Sequence, residues 1–168
     1  MMEPTQRPCA FFDRDGVINR NAAPGEYIER WSDFELIPAA ADWIRIFNTL
    51  GYLVIVVTNQ RGVAMGRMTV EDVEHLHDQM RALLAKSGAR IDDVFYCPHE
   101  ENACDCRKPA PGLVERAVAK WDIDVSRSVM IGDSWRDAEL AARSGLRFLQ
   151  ASEGTIVAPM AAAAGAGR

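Results

Sequence analysis

Long apolar runs are missing from this sequence. Nothing in its 168 residues approaches the roughly 18–20 consecutive apolar residues of a membrane span. The first eight residues, MMEPTQRP, are polar and lack the apolar stretch of a signal peptide. A cytoplasmic protein is the expectation. An excess of positive charge is missing too: 19 Lys and Arg stand against 24 Asp and Glu, for a net charge of −5. That argues against nucleic acid as a partner, since nucleic acid asks for a basic surface. No membrane partner is expected either. An acidic chain still binds phosphate where local cations or a metal overcome the global sign. Cysteine is sparse, with four in all, and no internal repeat is present. Three of the four thiols fall within ten residues. In a reducing compartment such clusters are more often metal ligands than disulfides.

What is there has an ordinary globular balance, 48% hydrophobic and 26% charged. The length suits one domain. We assign residues 1–155 to it and read 156–168, ending in MAAAAGAGR, as a low-complexity tail without chemistry. CAFF (9–12) is a short apolar run that stops at the charged DRDG, as a buried strand does. Residues 13–37 look irregular, with Pro24 and Gly25 marking a turn. From Pro38 to Leu50, the residues Trp43, Ile44, Phe47 and Leu50 share one helical face. YLVIVVTN (52–59) is a continuous run rich in β-branched residues, expected of a strand buried on both faces of a parallel sheet. Thr69 with Asp72 three residues on marks a helix start. Val73, Leu76, Met80, Leu83 and Leu84 turn inward along that helix, and Gly88 ends it. DVFYC (93–97) is a third strand, and a helix runs from Pro111 to about Lys120. SVMIGD (128–133) is a fourth strand, 135–143 a helix and RFLQ (147–150) a fifth strand. Strands alternating with helices predict an α/β fold with a mostly parallel sheet.

Such sheets bind ligands beyond the carboxyl ends of their strands. DRDG follows the first strand, TNQRG the second, CPHEENACDCRK the third and GDSWRD the fourth. Four polar loops therefore converge on one edge. Aspartates are common in solvated turns, but Asp13 and Asp133 each end an apolar run at a low-dielectric edge. Crowded carboxylates repel, and a hard divalent cation relieves them. With Asp15 and Asp137 close in sequence, Mg²⁺ fits, since it takes oxygen ligands and binds phosphate. Thr58 and Asn59 form either a plain capping turn or a holder for an anionic oxygen. Cys97-x-His99-x₄-Cys104-x-Cys106 offers three thiolates and an imidazole, the Cys₃His set of closed structural zinc sites. Zinc there would stiffen the loop and aim Arg107 and Lys108, with Pro109 stiffening the exit. Cys9 reads as a core thiol, Trp43 as core and Trp121 as helix-end packing. His75 and His77 have no acidic or thiol partners at metal spacing and read as ordinary surface or edge residues.

The ordered set D-x-D-G, T-N at a strand end, Lys108 and G-D-x-x-x-D resembles the haloacid dehalogenase superfamily of phosphotransferases, over about residues 9–150. The Cys-x-His…Cys-x-Cys-Arg-Lys-Pro insertion is similar to that of its zinc-bearing, capless branch. The resemblance implies a Rossmann-like three-layer sandwich with no cap domain. It implies phosphatase chemistry, in which Asp13 attacks phosphorus to form an aspartyl-phosphate. Asp15 protonates the leaving alkoxide and then deprotonates water. Mg²⁺ is held by Asp13, the Asp15 main-chain carbonyl and Asp133. Thr58, Asn59, Gln60 and Lys108 hold the phosphoryl group, Arg61 and Arg107 meet the rest of the substrate, and the loop from Asn21 to Tyr27 is a lid over the sugar. The implied partner is a small phosphorylated sugar, bound by a monomer. TNQRGVAMGRMT, CDCRKPAPGL and EYIERWSDFELIPAA look like the members that act on a heptose bisphosphate. Two features depart from those members: only four residues separate His99 from Cys104, and Ser134 stands where many carry Lys. The alternative substrate is histidinol phosphate.

Overall fold

A computed structural model of the chain describes residues 5–152 and 154–157. Among these residues six strands form one sheet: β1 (Cys9–Phe12), β2 (Leu53–Asn59), β3 (Asp93–Cys97), β4 (Val129–Gly132), β5 (Arg147–Ser152) and β6 (Thr155–Val157). Their order is β3-β2-β1-β4-β5-β6, parallel throughout except for the antiparallel β5–β6 pair. Four helices connect them: α1 (Ala39–Thr49), α2 (Val70–Lys86), α3 (Gly112–Trp121) and α4 (Trp135–Ser144).

The uninterrupted apolar strands follow from a core on each face of the sheet. Successive strand side chains point to opposite faces. Ala10, Phe12, Val54, Val56 and Ile131 pack with Ile44 of α1 and with Met80 and Leu84 of α2. Phe11, Leu53, Ile55, Val57 and Met130 pack on the other face with Leu113 and Ala117 of α3 and Leu140 of α4. The fold is thus the α/β arrangement with a mostly parallel sheet that the strand–helix alternation predicts, in the three layers that the resemblance implies.

Helix ends are written locally. The Asp72 N–H donates to Thr69 Oγ1 and the Thr69 N–H to Asp72 Oδ2, a reciprocal cap at the start of α2. On α4 the Ser134 N–H and Oγ both donate to Asp137 Oδ2, at 3.3 and 3.1 Å, and Gly145 closes that helix in the left-handed conformation. The chain runs β1, β2, β3 toward one edge and then returns to place β4 beside β1. This switch point is where parallel sheets open a crevice. Between β1 and α1 the described chain contributes only loops and a short 3₁₀ turn at Trp31–Asp33.

Three expectations are corrected. Leu50 is not on the buried face of α1: the helix stops at Thr49, and Leu50 is 64% exposed. Trp43 and Phe47 pack against the core only partly, and Ala40, Ala41 and Ile44 form the inward face. The fifth strand runs on to Ser152 and turns at Gly154 into β6, which crosses the expected tail boundary at 156. The rest of that tail, 158–168, lies outside the described residues. Among the described residues, no helix is long and apolar enough to cross a membrane.

Ile44 is fully buried between α1 and the sheet. Ile44→Ala is expected to lower the unfolding free energy by about 2–5 kcal/mol, read by urea denaturation at fixed pH.

Candidate active site

The β1–β4 register builds the floor. Phe12 pairs with Ile131, and the Asp13 N–H donates to the Ile131 carbonyl at 2.9 Å. Asp13 and Asp133 therefore emerge side by side. Oxygens of Asp13, Asp133 and Asp137 all lie within 4.8 Å of one another. Gly16 has to be glycine here. Its φ is +85°, and a Cβ would sit 1.9 Å from Asp133 Oδ2.

Lys108 crosses this acidic floor. Its Nζ lies 2.9 Å from Asp13 Oδ1 and donates to Asp137 Oδ1 at 2.8 Å. The ammonium is 4% exposed and Asp137 is fully buried. Burial opposes the lysine charge, but Asp13 and Asp137 outweigh it and hold the ammonium above its ordinary pKa. Burial pushes the Asp13 carboxyl well above the usual range, Lys108 pulls it back, and Asp137 pushes it up further. Burial also raises Asp133; the Asn21 amide, donating at 3.3 Å, works against this. One ammonium is too little for three crowded carboxylates. The all-oxygen donor set at the Asp13–Asp133 corner fits a hard cation such as Mg²⁺.

Asp15, two residues from Asp13, has the opposite surroundings. Oδ1 accepts from Arg14 Nε at 3.1 Å, Arg14 Nη2 at 2.8 Å and Asn19 Nδ2 at 2.9 Å. Among the described residues, Oδ2 accepts only from Gln60 Nε2, at 3.2 Å. Burial raises the Asp15 pKa, but Arg14, Asn19 and Gln60 prevail and set it below the usual range. Gln60 Nε2 also donates to Thr58 Oγ1 at 2.9 Å.

The remaining predicted residues fall on the walls of one open cavity of about 410 Å³. Asp13, Asp15, Thr58, Asn59, Lys108 and Asp133 form its base, and Asn21, Tyr27, Arg61 and Arg107 its sides. Gln60 is buried just behind, at 3% exposure. Three assignments change in kind. The Asn59 side chain is taken up by the main chain of Lys108, accepting from its N–H at 2.9 Å and donating to its carbonyl at 3.1 Å. Asn21 is tied to Asp133. Arg61 is paired with Glu100. Arg107, by contrast, has among the described residues no partner for its buried Nη1 and only a long 3.8 Å approach to Glu101.

Other residues of the site were not anticipated. Arg136 lines the same cavity, its guanidinium carbon 4.9 Å from the centre of the exposed Trp135 ring. The motif loop GDSWRD already contained it. Arg14 is 1% exposed, and His77 is not a surface or edge residue but 4% exposed. His77 lies four residues after Val73 and three before Met80, so it belongs to the inward stripe of α2. His75 is exposed, as expected.

Beside the cavity, Cys97, His99, Cys104 and Cys106 bring one ligand atom each within 4.8 Å of one another. Cys97 Sγ is 3.5 Å from both Cys104 Sγ and His99 Nδ1, and His99 Nδ1 is 3.2 Å from Cys106 Sγ. A tetrahedron with metal–ligand bonds of about 2.0–2.3 Å has edges of roughly 3.3–3.8 Å. The donor set and its spacing fit zinc. Burial raises the Cys104 thiol, but backbone N–H groups of Cys106 and Arg107 and the neighbouring thiols bring it down to about 6.

His77 generates a pH prediction. Burial first, and then Arg14, lower its pKa from 6.5 to about 3. Between those values the unfolded chain binds a proton that the folded chain refuses, so stability falls as pH falls through that window. From pH 7 to pH 5 this group alone is expected to remove about 2 kcal/mol. His77→Gln should lack that increment when urea unfolding of the two proteins is compared at both pH values.

Comparison with known proteins agrees with this geometry. Residues 105–165 match the family model described as "HAD-hyrolase-like". The chain is 42% identical over 149 residues to the D-glycero-beta-D-manno-heptose-1,7-bisphosphate 7-phosphatase of Rhodopseudomonas palustris, covering 84% of this chain and 81% of that one. It is 42% identical over 135 residues to the D-glycero-alpha-D-manno-heptose-1,7-bisphosphate 7-phosphatase of Mycobacterium tuberculosis, covering 79% and 70%. Among solved structures, the D,D-heptose 1,7-bisphosphate phosphatase of B. bronchiseptica, complexed with magnesium and phosphate, is 30% identical with a TM-score of 0.78, covering 84% and 78%. With its motif residues gathered at one sheet edge and relatives of this identity and coverage, the chain belongs to the HAD-like hydrolase family and is one of its phosphatases.

Proposed function

We propose that the protein removes the 7-phosphate of D-glycero-D-manno-heptose 1,7-bisphosphate through an aspartyl-phosphate on Asp13. One observation carries the substrate class. The cavity that holds Asp13, Thr58 and Lys108 also holds Arg107, whose buried Nη1 has no partner among the described residues. A guanidinium fork suits a second phosphate, and Arg136 stands on the same wall. The relatives named above act, by their names, on either anomer of this bisphosphate.

An Asp13 carboxylate oxygen forms the bond to phosphorus as the bond to the sugar oxygen breaks. That oxygen keeps the electron pair and takes a proton from Asp15. Water then attacks the aspartyl-phosphate, gives its proton to Asp15, and releases phosphate with the Asp13 carboxylate restored. Asp15 is held low in the free protein, so its proton must be taken up as the substrate's negative charge arrives beside it. Lys108 meets the transferring group from its seat on Asp137. Thr58 Oγ1 accepts from Gln60, which leaves the hydroxyl proton for a phosphoryl oxygen. Asn59 acts by placing Lys108. Arg61 and the Asn21–Tyr27 loop meet the sugar.

Asp13, Asp133 and the Asp15 carbonyl would hold Mg²⁺, which when bound supplies the positive charge that the carboxylates and phosphoryl oxygens require. Cys97, His99, Cys104 and Cys106 would hold structural zinc, a thiolate site suited to the reducing cytoplasm. The chain, its sheet edged by β6, then acts as one monomeric domain on a small metabolite.

The test is phosphate release with Mg²⁺ from both anomers of the heptose bisphosphate, fructose 1,6-bisphosphate and histidinol phosphate. A heptose bisphosphate is expected to be preferred, and Asp13→Asn to cost about three orders of magnitude or more in kcat. Preference for histidinol phosphate would remove the substrate assignment, and an active Asp13→Asn the mechanism. Metal analysis should find one zinc per chain, absent from Cys106→Ser. That variant should also melt at lower temperature and lose kcat, because Lys108 stands two residues away.

A further inference from the structure

A buried polar chain runs from the solvent side of α2 to Asp15, and no step above uses it. Arg14 ranks among the largest fully buried side chains. A guanidinium so placed needs partners for its donors. Nε and Nη2 both grip Asp15 Oδ1, and Nη1 lies 3.1 Å from His77 Nε2. Arginine only donates, so His77 Nε2 must accept, and its proton sits on Nδ1. The neutral ring is what that contact requires, and burial together with Arg14 keeps it neutral. The imidazole packs edge-on against Tyr96, with centroids 5.6 Å apart, and the Tyr96 hydroxyl donates to Glu74 Oε1 at 2.9 Å. Arg14 is thereby anchored to a capped helix.

The consequence falls on a particular atom. Three donors converge on Asp15 Oδ1, and one at 3.2 Å reaches Oδ2. Oδ1 has no room for a proton. Oδ2 is the oxygen left to carry one, and the grip on Oδ1 fixes where Oδ2 points. We infer that His77 is a positioning residue: through Arg14 it sets the rotamer of Asp15, so that Oδ2 delivers the proton to the departing sugar oxygen. This rests on the role of Asp15 as the acid in the proposed function.

A positioning role has a signature that a structural one lacks. An alkoxide needs a proton to leave, whereas p-nitrophenolate leaves without one. The value of kcat/KM reports the steps up to departure of the alcohol. We would measure it with the best sugar phosphate and with p-nitrophenyl phosphate, for the parent, His77→Leu, His77→Gln and Asp15→Asn. His77→Leu is expected to lose about 10- to 100-fold on the sugar phosphate and less than about threefold on the aryl phosphate. His77→Gln, whose amide oxygen accepts from Arg14, should recover most of the loss. If leucine prevents folding, His77→Asn carries the same comparison, because its shorter amide falls short of Arg14. Equal losses on both substrates, or no loss on either, would overturn the inference while Asp15→Asn still separates the two. An Asp15→Asn that does not separate them would instead remove the acid itself, and the inference with it.

Discussion

The site depends on one buried ammonium. Lys108 sits between Asp13, at the cavity base, and the fully buried Asp137, with contacts of 2.9 and 2.8 Å. Removing any partner from such a group leaves a buried charge without compensation. The surrounding structure serves to bring the three together. The β1–β4 register delivers Asp13. The Ser134 cap holds Asp137 through its other oxygen, Oδ2. Asn59 takes hold of the Lys108 main chain from the end of β2. The Cys–His cluster ends at Cys106, two residues before Lys108. In the proposed function, zinc held by the cluster gives this irregular segment a fixed shape, and the cation inherits it.

Asp13 and Asp15 show how little sequence distance says about electrostatics. Asp13 faces a buried ammonium and other carboxylates, and its pKa rises. Asp15 is wrapped by a guanidinium and two amides, and its pKa falls. Adjacent groups pushed in opposite directions are the usual mark of divided roles in catalysis. The division here is built from different layers. Asp13 is set by the sheet and the third loop, Asp15 by a helix on one face of the sheet.

The acidic net charge of the chain does not prevent it from holding a dianion. Lys108, Arg107 and Arg136 line the cavity, but so do Asp13, Asp15, Asp133 and Glu101. In the proposed function Mg²⁺ held by the carboxylates turns the local charge positive, while solvent and salt screen the acidic groups farther off. The cavity is open, with no cap domain among the described residues, and its side walls are short.

The elements and the motif positions were legible from the sequence because both are local. An apolar run that stops at a charged residue marks the end of a buried strand, and four such ends announced one edge of one sheet. The Cys₃His spacing was legible for the same reason, since its ligands lie within one loop. Errors arose where location depended on distant packing. Leu50 shared the period of α1 but lay beyond its end. The short β6 had too few residues to show a pattern. His77 carried its signal in the α2 stripe, but a polar residue on an apolar face declares no partner, and Arg14 lay 63 residues away. Lys108 and Asp137, 29 residues apart, were each visible as motif residues and not as a pair. The sequence by itself determined the strands, their polar ends and the chemistry available there. Tertiary structure alone decided which charges meet, because the burial and short distances that set their strength exist only once the layers close.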